Sequence, residues 1–308
     1  MAASDVAVGI IFLSQTVVGA LGNSSLLLHY LVINFTGCRV RHTDLILQHL
    51  IVANLLTLLC KGVPHTMAAF GMKGFLGDLG CKLLFYLHRV GKGMSIGSTC
   101  LLSVFHAIKI SPGDSRYSEL QVKSPNYIGF SIHLSWILYI FLNVMFPMVM
   151  TGKLSNRNIT SLKDFGYCSV VRRDKTTGLL FTALLTFPDA LCVGLMLWAS
   201  SSMVLILHRH KQRMQHLHKT ISSRSSPESR ATKTILLLVS TFVSFYTTSC
   251  ICQICLALIS NPTWFLLNTT AVITGCFPAV SPFLLMSSNS NASKLWLTWI
   301  RNRKTLLL

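Results

Sequence analysis

Three ionisable residues stand inside otherwise apolar stretches: Arg89 and Lys92 between positions 79 and 110, and Asp189 between 178 and 208. A charge held at bilayer depth is costly and persists where it pairs or works, so these residue types point to recognition by charge and hydrogen bond. Counted from Cys81 at the start of its stretch, Arg89 and Lys92 lie about 12 and 16 Å along a helix. Asp189, eleven residues into its own stretch, reaches a similar depth. The expectation is that Asp189 pairs with Arg89 or Lys92 in a pocket wall and leaves one cation for polar or anionic groups on a ligand; a purely structural pair is the competing reading. Phe85, Phe181, Phe187 and Tyr246 are candidates for the apolar lining of such a pocket.

Covalent chemistry has little to work with. The chain carries nine acidic residues and shows no Gly-rich phosphate loop, paired-carboxylate site or Ser-His-Asp arrangement. His208, His210, His216 and His218 sit among Arg209, Lys211 and Arg213, whose charges oppose a divalent cation. The expectation is therefore no enzyme, no metal and no cofactor.

The elements that must carry these residues follow from composition. With 308 residues, 51% hydrophobic and 12% charged, the chain is too apolar for an average soluble domain. Apolar stretches fall at 6–33, 44–68, 79–110, 126–150, 178–208, 232–260 and 264–287, each long enough as a helix to cross about 30 Å of hydrocarbon. The expected fold is one all-α domain over 1–308, a bundle of seven transmembrane helices. The net charge of +18 concentrates between the stretches, as expected of a membrane protein bordered by lipid headgroups, and does not call for nucleic acid. The leader Met1 to Asp5 has no basic residue, whereas Arg39 and Arg41 follow the first stretch, which places the N-terminus outside and the C-terminus in the cytosol. More than half of the 27 Lys and Arg residues then fall on the cytosolic side. The outer loop of about 151–177 is a basic rival that weakens this bias.

Of ten cysteines, Cys60, Cys100, Cys192, Cys250, Cys252, Cys255 and Cys276 lie in apolar stretches and read as small hydrophobes. Cys81 and Cys168 face the oxidising side, so they can form a disulfide. Of the Asn-x-Ser/Thr triplets, topology leaves Asn158 in an outer loop with room for a glycan. Beyond the seventh stretch, Leu295, Trp296, Trp299 and Ile300 share one face of a short interfacial helix, with Lys294, Arg301, Arg303 and Lys304 elsewhere.

Several runs are more specific. Arg41-His42-Thr43-Asp44-Leu45, Lys61-Gly62-Val63-Pro64 and Met67-Ala68-Ala69-Phe70-Gly71 are followed by Ser95-Ile96-Gly97-Ser98-Thr99-Cys100-Leu101-Leu102-Ser103-Val104-Phe105 and Ile110-Ser111-Pro112. His208-Arg209-His210-Lys211-Gln212-Arg213, Ser226-Pro227-Glu228-Ser229-Arg230-Ala231-Thr232, Cys276-Phe277-Pro278 and Ser281-Pro282-Phe283-Leu284-Leu285-Met286 complete the set. In these runs, from about 41 to 288, the chain resembles the vomeronasal type-1 class of G-protein-coupled receptors. The resemblance implies a rhodopsin-like fold in the plasma membrane, a small pheromone-like ligand and coupling to an inhibitory-type heterotrimeric G protein. A bitter-taste-like chemoreceptor is the nearest alternative; a membrane transporter, from another class, would call for internal repeats, and none is seen.

Departures from the common rhodopsin-like pattern carry their own expectations. Phe105-His106-Ala107 replaces the Asp-Arg-Tyr triplet, so the usual ionic lock has no residues. Asn54 replaces the second-span Asp, and Ser281 the Asn of Asn-Pro-x-x-Tyr, so sodium modulation is expected to be weak or absent. His88, seven residues after Cys81, stands where amine-binding receptors carry a carboxylate; this argues against monoamines and adds His88 to the candidate pocket.

Overall fold

The computed structural model describes residues 3–36, 42–72, 75–111, 115–144, 147, 150–152, 162–164, 167–171, 175–217, 227–258 and 263–288. Seven helices run through these residues: α1 Ala3–Phe35, α2 His42–Ala69, α3 Asp78–Ile110, α4 Ser115–Asn143, α5 Lys175–Leu217, α6 Pro227–Leu258 and α7 Trp264–Ser288. Six are long and apolar enough to cross a membrane, and the seventh contributes the shorter apolar helix Tyr127–Asn143 within α4. The interfacial helix expected around Leu295, Trp296, Trp299 and Ile300 lies outside the described residues, as does Asn158.

α4 differs from the expected stretch at both ends. It begins at Ser115 and stops at Asn143, seven residues before the expected limit of 150. Pro147 supplies the reason: its ring bars the preceding residue from helical geometry and it offers no N–H to the turn before it. The chain then enters a small antiparallel sheet, β1 Met150–Gly152, β2 Leu162–Asp164 and β3 Cys168–Val171, in the order β1-β3-β2. Gly152 pairs with Cys168, and Asp164 with Ser169. The sheet is an addition to the all-α expectation, and it gives the backbone N–H and C=O groups of the segment between α4 and α5 partners that a bare loop would lack. Cys81 at the start of α3 and Cys168 in β3 are joined by a disulfide, with Cα atoms 5.8 Å apart. Tyr167 and both cysteines are buried beside it, with Phe85 packed against them.

The bundle's centre is held by polar residues that apolar periodicity does not reveal. Asn54 of α2, fully buried, donates to Ser281 Oγ of α7 at 2.9 Å and accepts from Ser95 Oγ of α3 at 2.7 Å. One amide therefore ties three helices, and the two positions that depart from the common receptor pattern bond to each other. On α7, Pro282 has no N–H for the carbonyl of Pro278 four residues earlier, which a regular helix would have paired. Asn23 of α1 takes that place, donating from Nδ2 to Pro278 O at 2.9 Å. A side chain on Gly22 would meet the Pro282 ring at 3.0 Å, so glycine admits α1 to the proline-containing segment whose carbonyl it caps. Trp136 Nε1 of α4 donates to His49 Nδ1 of α2 at 3.1 Å.

Candidate functional site

Asp189 follows Pro188 in α5, and its side chain turns inward to 6% exposure. Its carboxylate accepts a hydrogen bond from Tyr139 Oη of α4 on Oδ1 and from Tyr246 Oη of α6 on Oδ2, each at 3.3 Å. One carboxylate thus bridges α4, α5 and α6. Tyr139 also places its hydroxyl 3.9 Å from Cys192 Sγ of α5. The ring of Tyr139 lies against Gly93 of α3, where an added Cβ would stand 2.7 Å from ring carbon Cγ and closer still to Cδ1 and Cε1. Only a residue without a side chain lets the two helices come this close.

The cations come from α3. Arg89 Nε donates to Asn143 Oδ1 at 3.3 Å, and Asn143 Nδ2 in turn donates to Tyr139 O at 2.8 Å. Lys92 Nζ stands 5.2 Å from the centroid of the Tyr246 ring, in cation–π geometry. Arg89, Lys92, Gly93, Tyr139, Leu142, Asn143 and Asp189 line one cleft of about 250 Å³, open mouth included. Asp189 and the two cations therefore share a cleft, but no ion pair within 4.0 Å joins them; the acid takes its partners from tyrosines instead. The direct pair expected from depth alone is corrected in this respect. Depth along a helix does not determine which side chain a neighbouring helix presents, and two phenols reach the carboxylate first.

A second cleft, about 390 Å³ by the same measure, lies on the other side of Lys92, where Phe242, Phe245, Tyr246, Ile273, Phe277 and Pro278 make an apolar wall with Thr57, Ser95, Ser249 and Thr274 at its edge. Phe242 packs edge-on to Phe277 at 4.7 Å and stacks on Tyr246 at 5.8 Å. Lys92 is common to both clefts. An aromatic wall beside a few convergent polar groups is the composition of a small-molecule site.

The remaining candidates divide. Phe85 stacks on Tyr167 at 6.0 Å beside the disulfide and lines neither cleft. His88, half-buried, lies beside Thr57 of α2, within reach of its backbone. Phe187 is 64% exposed and points out of the bundle. Asp189, two residues on, faces inward, and at about 100° per residue the two positions fall on opposite sides of the helix. The side chain of Phe181 lies outside the described residues. Tyr139, Asn143, Phe242 and Phe277 went unrecognised in the sequence, where each reads as one more aromatic or polar residue of an apolar helix. Tyr139 carried a faint signal, a hydroxyl that must find a partner at bilayer depth.

The comparison with known sequences decides the class. Residues 6–298 match the model of the vomeronasal organ pheromone receptor family. The chain belongs to this family. It is 58% identical to vomeronasal type-1 receptor 4 of Homo sapiens over 98% of this chain and all of that protein. It is 52% identical to vomeronasal type-1 receptor 2 of Homo sapiens over 92% of this chain and 72% of the relative. Olfactory receptor class A-like protein 1 of Danio rerio is 30% identical over 91% of the chain and 89% of its own length. The chain is thus a chemosensory G-protein-coupled receptor, a multi-pass membrane protein and not an enzyme.

Proposed function

We propose that the receptor detects a small pheromone-like molecule in the paired clefts around Lys92 and passes the event to an inhibitory-type heterotrimeric G protein on the cytosolic face. The carrying observation is the junction of a polar cleft holding Arg89, Lys92 and Asp189 with an aromatic cleft from α6 and α7, with Lys92 in the wall of both. A ligand that lays an apolar body on Phe242 and Phe277 brings a polar end to Lys92. Whatever draws Lys92 or the Tyr246 hydroxyl away loosens the hydrogen bond by which α5 holds α6 through Asp189. A shift of α6 is then the physical output, since a ligand moves an equilibrium only through contacts that differ between its two states. The receptor works in the plasma membrane with its N-terminus outside, and Asn158 carries a glycan on that side.

The test is G-protein activation in cells expressing the full chain, screened with volatile and steroid-like mixtures beside Lys92→Ala. A response lost in the variant at equal surface expression supports the site; a response unchanged in it keeps the receptor class and removes Lys92. The family assignment favours this reading over a bitter-taste-like receptor, and substrate flux into vesicles without G protein would revive a transporter.

A further inference from the structure

A second group of basic residues, one lysine and two histidines, lies between α2, α3 and the disulfide-held loop, apart from the Asp189 cleft. Lys61 and His65 occupy one face of α2, four residues apart. The helices meet one turn deeper, where a Cβ on Gly91 of α3 would come within 2.9 Å of Thr57 Oγ1 and 3.1 Å of Ala53 O. Lys61 is one turn from Thr57 and His88 nearly one turn from Gly91 on the same side of that contact, so the two face each other. Lys61 stands near enough for its charge to act on His65 and His88, and Lys92 near enough to act on Lys61. His65 is held in place between Phe12 at 4.9 Å and Tyr167 at 5.1 Å.

Three polar positions in the group are left without a partner. Half-buried Lys61 makes no hydrogen bond and no ion pair within 4.0 Å among the described residues. His65 Nδ1 and His88 Nδ1 are buried with no hydrogen-bond partner. Asp189 is the one interior acid among residues whose side chains are described. Its two carboxylate oxygens are already engaged by Tyr139 and Tyr246, so it offers no hydrogen-bonded ion pair to Lys61. A lysine without a counter-charge beside two buried imidazole nitrogens without a partner has a physical rationale where the compensating charge comes from outside the chain.

We infer that Lys61, with His65 and His88, forms an oxyanion subsite that takes a carboxylate or sulfate group of the ligand, distinct from the Asp189 cleft. The inference rests on the reading of the interior as the ligand site. It adds the chemical class: an amphiphile whose anionic head docks between α2 and α3 and whose apolar body extends past Lys92 to the aromatic cleft.

The test uses the purified full-length receptor in nonionic detergent, with melting temperature as readout and no G protein present. Its failure is therefore separable from failure of signalling. The probes are hexanoate, the neutral match hexanol, and sodium sulfate. Hexanoate should raise the melting temperature saturably while hexanol does not, and Lys61→Gln should weaken the half-saturating concentration roughly tenfold or more, as expected for loss of a charged hydrogen bond. Lys61→Arg should keep the effect. Because sulfate stabilises proteins generally, its arm is read as the difference between the parent and Lys61→Gln; a positive difference extends the subsite to free anions, and none confines it to carboxylates with an apolar body. Without any probe, Lys61→Met should melt at or above the parent, since it removes an unmatched charge. Equal stabilisation by hexanol, no stabilisation by hexanoate, hexanoate binding retained in Lys61→Gln, or a Lys61→Met protein that fails to fold or melts well below the parent would each overturn the inference.

Discussion

A methyl group added at Gly93 has no space to occupy. In Gly93→Ala the new carbon would lie 2.7 Å from Tyr139 Cγ and closer to Cδ1 and Cε1, where an ordinary carbon contact needs about 3.5–4.0 Å. The ring or the helix must therefore give way by roughly 1 Å or more. Tyr139 is 4% exposed and held between Gly93 and Asp189, so overpacking costs about 1–3 kcal/mol. The same displacement takes the hydroxyl away from Asp189, now 3.3 Å away. A hydrogen bond to a charged group contributes about 1.5–3 kcal/mol, and the length of this one argues for the lower end. Together the loss is about 2–5 kcal/mol. Thermal melting of the purified receptor in detergent measures it, with Tyr139→Phe as the control that deletes the hydroxyl and leaves the ring. In a Tyr139→Val background the clash is gone, and Gly93→Ala should then be close to neutral, so the double-mutant cycle should give a large coupling. A Gly93→Ala protein as stable as its parent, or equal costs in the two backgrounds, would refute the claim that ring contact sets the α3–α4 spacing.

Other outcomes follow from the same contacts. Asn54→Ala leaves Ser95 and Ser281 without their shared amide and should lower stability by about 1–2 kcal/mol, in keeping with the modest worth of interhelical hydrogen bonds in membranes; Asn54→Asp should not confer sodium-dependent ligand binding, because Ser281 replaces one of the usual polar partners. Asn23→Ala strips the Pro278 carbonyl of its donor at about 1–3 kcal/mol, seen as a lower melting temperature, while Asn23→Asp should not rescue it because a carboxylate cannot donate. Cys81→Ser opens a link across 87 residues, worth up to about 4–5 kcal/mol by loop entropy and less where the inserted helices already restrict the chain, so surface expression should fall. Phe187→Ala should leave ligand response unchanged and Phe242→Ala should weaken it, because one ring points outward and the other lies in the aromatic wall.

What the sequence determined by itself is the part of this receptor that local composition controls. Seven apolar stretches fix seven helices because a backbone in hydrocarbon must satisfy its own hydrogen bonds, and the depth of Arg89, Lys92 and Asp189 follows from rise per residue alone. The family was legible too, since its runs are themselves sequence. Only the tertiary structure decided which side chains meet. Asp189 shares its cleft with Arg89 and Lys92 as expected, yet its hydrogen bonds come from two phenols, because helix rotation brings Tyr139 and Tyr246 to its oxygens. Asn23 could not be matched to the Pro278 carbonyl without knowing that α1 lies against the prolines of α7. Pro147 was visible in the sequence, yet the sheet beyond it, whose central strand β3 the disulfide joins to α3, was not. Lys61 passed for a residue of a family run until the α2–α3 packing set it opposite His88. Hydropathy and periodicity are properties of one helix, whereas a site between helices depends on their mutual rotation, which no single stretch encodes.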